Sequence, residues 1–327
     1  MTIIPTDSGR SSLVLALRTI KEQGASGTAW IPAYACPSLP SVFRHEGFTL
    51  KRYGTTPHFS PVFSSQAPGR KDVALFIHYF GFPNNGALSW IRSRTGQDRP
   101  FIIEDCAGSS LSPGIGQRCD FAIFSFRKFL DVPDGGALVS RFPSTAFLGP
   151  GDMDTARARN RAFRFLERNR RHEGLYFLRE AERRLDRALS TLPRHPTAAS
   201  LAALGQTCLR TESRIRRKGA RELLAAIERI DALKDVLVPL YPSLPAGSVP
   251  LLLPARVSRG KDRLSSIFQE AGLECPCLWE LNPSLKYAFP AEYRAAQTTV
   301  GLPLPYTHGE NHFKAIMDCL NLFAMGS

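Results

Sequence analysis

Short apolar runs alternate with amphipathic ones through the first half of this chain, and that alternation points to an α/β sheet covered by helices. Ser11 to Lys21 sets Leu13, Leu17 and Ile20 on one helical face. A strand at Ala29–Ile31, a helix at Ser38–His45 and a strand at Thr49–Arg52 follow. Val73–His78 reads as a strand, Leu88–Ser93 as a helix and Phe101–Ile103 as a strand. Two further strands, 121–124 and 137–139, are joined by a loop carrying a lysine. From Asp152 to about Leu192 the pattern turns helical and arginine-rich. Pro193–Pro196 breaks it, and another helix is expected from about Ser200 to Ile230. Beyond Asp231 a smaller α+β unit is expected, with Val249–Val257 as a strand and Arg263–Glu270 and Phe313–Phe323 as helices. The chain therefore divides into a large α/β domain over 1–200 and a small α+β domain over 201–327.

With 327 residues, 43% of them apolar, the chain has material for one large core and a second, smaller one. It has no run of 18 or more apolar residues, and Met1–Pro5 lacks the basic and apolar segments of a secretory signal. Seven scattered cysteines, without paired CxxC sets, argue against a disulfide framework or a metal site. A cytoplasmic protein is the expectation. The net charge of +13 is concentrated between Arg157 and Arg221. Helices with solvated arginine faces account for it better than nucleic-acid contacts, because no nucleic-acid-binding motif surrounds the basic clusters. Contacts to the phosphates of a nucleotide-bearing substrate are a third use.

Chemistry gathers at the ends of the expected strands. Lys128 stands between the strand at 121–124 and the turn Asp134-Gly135-Gly136. Glu104-Asp105 ends the strand at 101–103, where α/β sheets place ligand groups. An amine and a carboxylate on neighbouring strand ends suit the two ends of pyridoxal phosphate, whose aldehyde needs an amine and whose ring nitrogen needs an acid partner. Lys128 is otherwise an exposed loop lysine, and Asp105 otherwise a cap. Ser8-Gly9-Arg10-Ser11-Ser12 offers backbone amides at a helix start, either as a phosphate cradle or as a plain N-cap. Ser125 could add a hydroxyl to that phosphate. His78 and Tyr34 each fit a pocket wall or a structural role.

The order of these segments resembles the DegT/DnrJ/StrS family of pyridoxal phosphate (PLP)-dependent sugar aminotransferases, of fold type I. Ser8-Gly9-Arg10-Ser11-Ser12-Leu13 is similar to the family's phosphate turn, and Ile103-Glu104-Asp105-Cys106-Ala107 to its E-D-A-A motif. His78-Tyr79-Phe80-Gly81-Phe82-Pro83 and Ile31–Ser38 resemble two further segments. Lys128 precedes Asp134-Gly135-Gly136 by six residues, as the family lysine precedes its acid-Gly-Gly turn. The resemblance implies a fold type I α/β transferase with a large mixed-sheet domain, and PLP as cofactor. It implies Lys128 and Asp105 as catalytic residues, with Gly9, Arg10, Ser11, Tyr34 and Ser125 as further cofactor-binding residues. It also implies a homodimer acting on small molecules: an amino donor such as glutamate, and a keto acceptor such as a nucleotide-linked keto-sugar of sugar biosynthesis. A lyase or dehydratase on the same scaffold, or a binding protein without transamination, is the alternative. Departures from the pattern are Arg10 for a threonine, Gly108 for the usual histidine or glutamine, and Cys36 for an aromatic residue. The spacing from Ser125 to Lys128 is also two residues shorter.

Overall fold

The computed structural model describes the chain except residues 95, 97, 169, 188–191, 306–310 and 327, and except the side chains of 167, 185–187 and 311. The chain opens with β1 (Thr2–Thr6), α1 (Gly9–Glu22), β2 (Thr28–Pro32), α2 (Ser38–His45), β3 (Thr49–Thr55) and β4 (Pro61–Val62). It continues with β5 (Val73–Ile77), α3 (Asn85–Ser93), β6 (Phe101–Asp105), β7 (Phe121–Ser125) and β8 (Gly136–Ser140). Four helices follow: α4 (Met153–Glu167), α5 (Arg171–Arg187), α6 (Ala198–Gln206) and α7 (Leu209–Glu228). The remainder comprises β9 (Leu237–Pro239), β10 (Leu253–Val257), α8 (Lys261–Glu270), α9 (Leu285–Ala288), α10 (Pro290–Thr298), β11 (Thr299–Leu302) and α11 (Asn311–Ala324).

Strands β1 to β8 form one mixed sheet in the order β1-β8-β7-β6-β5-β2-β3-β4. Its centre, β7-β6-β5-β2-β3, is parallel, and β8, β1 and β4 pair antiparallel at the flanks. Central strands buried on both faces explain the unbroken apolar runs seen in the sequence. Along β5, Val73, Leu75 and Ile77 join the core under α1 and α2, while Ala74 and Phe76 join Ala87 and Ile91 of α3 on the opposite face. A second sheet, β11-β10-β9, has its own core with α7, α8 and α11, including Leu223, Phe268 and Phe323.

The structure differs from the sequence-based expectations at several elements. β1 carries no periodic signal because it is the sheet edge: Ile3 is exposed and Pro5 lies where an unpaired N–H would otherwise face water. The helix expected at 200–230 is two helices, broken where Thr207 and Cys208 adopt extended backbone. The strand expected at Val249–Val257 begins only at Leu253, because Val249 N donates to Gly81 O (3.1 Å) and Leu251 N to Phe80 O (2.8 Å). This segment is thereby tied to the loop after β5. The helical pattern expected from Asp152 to about Leu192 corresponds to α4 and α5 up to Arg187, and 188–191 lie outside the described residues.

Gly81 makes that tie possible. Its φ is +98°, and a Cβ there would overlap the Val249 carbonyl oxygen and Pro250 Cα. Gly81→Ala should lower stability by about 3 kcal/mol, combining left-handed strain with overlap. Gly47→Ala, at φ +79° with open space around it, should lose only about 1–2 kcal/mol. Denaturant midpoints measure both, and equal losses would show that the packing against Val249 contributes nothing.

Candidate active site

Chain order reverses between β2 and β5, and at such a switch point the carboxyl ends of parallel strands leave a crevice. A cavity of about 990 Å³ opens there, lined by His78 after β5, Asp105 of β6, Ser125 of β7 and Cys36 after β2. Lys128 and the start of α1, Gly9 and Arg10, complete this side of it.

Asp105 is buried, and its Oδ1 accepts from Ala107 N at 2.9 Å. Burial raises its carboxyl pKa above the ordinary value, while the Lys128 charge and the Ala107 hydrogen bond act in the opposite direction. Lys128 is exposed and closes a single 3-10 turn, Phe126–Lys128, held by Phe129 N donating to Phe126 O (2.9 Å). Phe129, Leu130 and Val132 bury the underside of the loop. In a 3-10 turn residues i and i+3 lie on the same side. The short spacing between Ser125 and Lys128 therefore still brings both to the cavity.

Ser125 is buried, and its Oγ has no hydrogen-bond partner among the described residues. A Cβ placed on Gly9 would lie 3.5 Å from Ser125 Cβ and 3.6 Å from Ala107 Cβ, so the glycine leaves a small space beside that hydroxyl. Ser8 caps α1 by accepting from Ser11 N (3.3 Å), so both expectations for this turn, cap and cradle, meet in one segment. Ser11 does not reach the cavity: its Oγ donates to Asp7 Oδ1 at 2.5 Å and accepts from Arg194 N at 3.2 Å.

Tyr34 is also turned away. It is fully buried among Phe59, Tyr79 and Trp279, and its hydroxyl donates to Leu278 O at 2.8 Å, so its place is the core. His78 reaches the cavity, but both ring nitrogens are engaged. Nδ1 accepts from Asn84 N (2.9 Å), which leaves the proton on Nε2 to donate to Glu104 Oε2 (2.8 Å). Gly108 has a local reason: a Cβ there would come within 3.2 Å of His78 O.

Several cavity residues leave no mark in the sequence pattern. Arg159 of α4 and Glu182 of α5 face it although both helices read as solvated. Exposed pairs such as Arg157–Asp154 and Arg170–Glu173 match that expectation, whereas Arg159 and Arg216 are buried. Phe80 and Trp279 line the cavity with positive φ (60° and 44°), an unusual backbone for bulky residues. Positive φ leaves no trace in a side-chain pattern; the glycine after Phe80 is the nearest signal.

No family model matches the chain, and no curated protein is significantly similar to it in sequence. Solved structures do match. A DegT DnrJ EryC1 StrS aminotransferase from Brucella abortus shares 18% identity, covering 99% of this chain and 86% of its own, with a TM-score of 0.61. The sugar aminotransferase CalS13 from Micromonospora echinospora shares 16%, covering 98% and 87%, with a TM-score of 0.63. A Streptococcus pneumoniae protein in its PMP form shares 15%, covering 99% and 88%, with a TM-score of 0.67. These likenesses establish the fold: the α/β architecture of fold type I transferases, with its large mixed sheet.

Because burial raises the Asp105 pKa, folding favours its protonated form, and stability falls as pH rises from the ordinary carboxylate pKa through the raised one. Asp105→Asn removes that penalty. The ligand-free variant should melt higher than the parent protein at neutral pH, and the gap should close on acidification below the ordinary carboxylate pKa. A melting series across pH tests this, and a variant no more stable at neutral pH would refute it.

Proposed function

We propose that this chain is a PLP-dependent aminotransferase that moves an amino group from an amino acid donor to a keto acceptor. One observation carries the proposal: a buried carboxylate, a buried hydroxyl unpartnered among the described residues and an exposed lysine gather at the ends of β6 and β7, beside a helix start. The residues fit the cofactor. Ser125 Oγ, with the Gly9 and Arg10 amides at the positive end of α1, would hold its phosphate. Asp105 would hold a proton on its ring nitrogen. When bound, PLP supplies an aldehyde carbon for an amine and a ring that takes up electron density as a Cα–H bond breaks.

The rest of the chemistry falls to the chain. Lys128 Nζ would hold the cofactor and, once released, would act as the general base and acid that carries a proton within the cavity. Burial disfavours the charge on Asp105, and a nearby cation favours it. The Lys128 charge acts this way in the structure, and a protonated ring nitrogen would do the same. Phe80 and Trp279, with ring centroids 5.9 Å apart, wall the cavity and exclude water on one side.

Glutamate as donor and a nucleotide-linked keto-sugar as acceptor fit a cavity rich in arginine and are supported by the sugar aminotransferase among the structural neighbours. A homodimer in the cytoplasm belongs to the same proposal. So does a division near residue 200, since the large and small sheets each carry a core of their own.

Purified protein given PLP should develop a visible absorption band that Lys128→Ala abolishes. Protein that stays colourless would sink the proposal. Glutamate should bleach the band to the pyridoxamine form, and bleaching by no amino acid donor would favour a lyase or dehydratase instead. Lys128→Ala should slow donor conversion by at least about 10²–10⁴-fold.

A further inference from the structure

Beside Lys128 two guanidinium groups converge on one carboxylate oxygen. Glu182 Oε1 accepts from Arg127 Nη1 and, at 2.9 Å, from Arg159 Nη1. Arg159 Nη2 also donates to Arg127 O at 3.2 Å, which fixes the two arginines relative to each other. Their side chains are 10% and 7% exposed, whereas that of Glu182 is 40% exposed. The cations are therefore built into the wall, and the acid reaches them from the α5 side.

Charge and hydrogen bonding are both left over at this point. Nε of Arg127 and Nε of Arg159 are buried without a hydrogen-bond partner among the described residues. Burial, and then the neighbouring Arg127 charge, push Arg159 down to about 10, although Glu182 pulls the other way. Arg159 stays charged at neutral pH. Burial works against ionisation of Glu182, but Arg127 and Arg159 outweigh it and hold its carboxyl below the ordinary value. One anion thus faces two cations. Asp131 and Glu274 act on Arg159 through space, and burial shifts Glu274 towards its neutral form. Around the whole cavity eight arginines and lysines face four aspartates and glutamates among the described residues. An unpaired buried charge is strongly unfavourable, and guanidinium cannot shed its proton to escape.

We propose that Arg127 and Arg159 form an oxyanion subsite next to Lys128, occupied by the Glu182 carboxylate until a carboxylate or phosphate group of a ligand displaces it. Glu182 is suited to that part because its side chain can turn to water without crossing the core. The shared ligand chemistry is an oxyanion able to accept from two guanidiniums at once. As a substrate subsite it rests on the aminotransferase proposal; as an anion site it does not.

The test uses purified, full-length protein without cofactor, and inorganic phosphate and succinate as probes, followed by calorimetric titration and melting shift. Glu182→Gln, nearly isosteric, removes the internal competitor and should tighten probe binding about fivefold. Arg159→Met should weaken it about tenfold or more. The probe that gains more from Glu182→Gln identifies the source as phosphate or carboxylate. No tightening in Glu182→Gln overturns the proposal even if Arg159→Met fails to fold. Binding that depends on Ser125 and not on Glu182 overturns it as well, since the anion would then sit at the start of α1. Colourless protein that still shows the Glu182→Gln gain would reject the enzyme proposal and keep the anion site.

Discussion

The seam between Asp7-Ser8-Gly9 and Asp134-Gly135-Gly136 holds the rest of the site in place. Gly135 N donates to Asp7 O at 2.6 Å, and Asp7 N donates to Arg194 O at 3.0 Å. A Cβ on Gly136 would stand 2.6 Å from Phe124 O and 2.8 Å from the Ser8 carbonyl carbon, so the strand can approach the helix start only as bare backbone. Both aspartates are buried, and burial raises both carboxyls, each offset by hydroxyl or amide donors: Ser8 and Ser11 on Asp7, Ser200 and Thr197 on Asp134. Asp134 also accepts from Thr197 N at 3.2 Å, at the start of α6. The turn after the lysine therefore fixes α1, α6 and β8 against one another. Lys128 hangs from that joint.

Much of this was legible because local pattern and burial agree. Strands β5, β6 and β7 stood out as apolar runs because both of their faces are covered, and the residues ending them were located by the same fact. Strand ends put Lys128 and Asp105 forward as candidates, and the order of the segments along the chain, with its resemblance to a known family, chose between their alternatives. What stayed hidden was direction. Tyr34 and Ser11 sit in the right segments but turn inward, one to Leu278 O and the other to Asp7. Sequence spacing carries no term for which way such a side chain faces when both options can be satisfied by hydrogen bonds. β1 and the break between α6 and α7 were hidden for a different reason: an edge strand has no buried period, and a two-residue break in an otherwise helical pattern contains neither Pro nor Gly.

Arginine was the hardest residue to place. The same stretch of α4 and α5 carries Arg157, paired on the surface with Asp154, and Arg159, which is buried against the cavity. Two residues apart on a helix is a rotation of about 200°, so neighbours of identical type meet opposite environments. Arg216 shows the other fate of a buried guanidinium. Its Nη2 donates to Phe129 O at 2.6 Å, its Nη1 to Leu251 O at 3.2 Å and its Nε to Glu212 at 2.6 Å. Arg216 is fully bonded and serves to brace the lysine loop, whereas Arg127 and Arg159 each retain an Nε donor without a partner among the described residues.

That contrast shows what the short loop achieves. With three residues from Ser125 to Lys128, the 3-10 turn leaves Ser125 and Lys128 on one side and swings Arg127 toward α4 and α5. Here the covering helices are tied to the lysine loop by ionic contacts through Glu182, in a wall otherwise packed from Phe163, Leu166, Leu175 and Leu178. An apolar wall alone would bind its helices indifferently to any ligand. A wall closed by a carboxylate between two guanidiniums is sensitive to anions, because a competing oxyanion offers the arginines the same bonds.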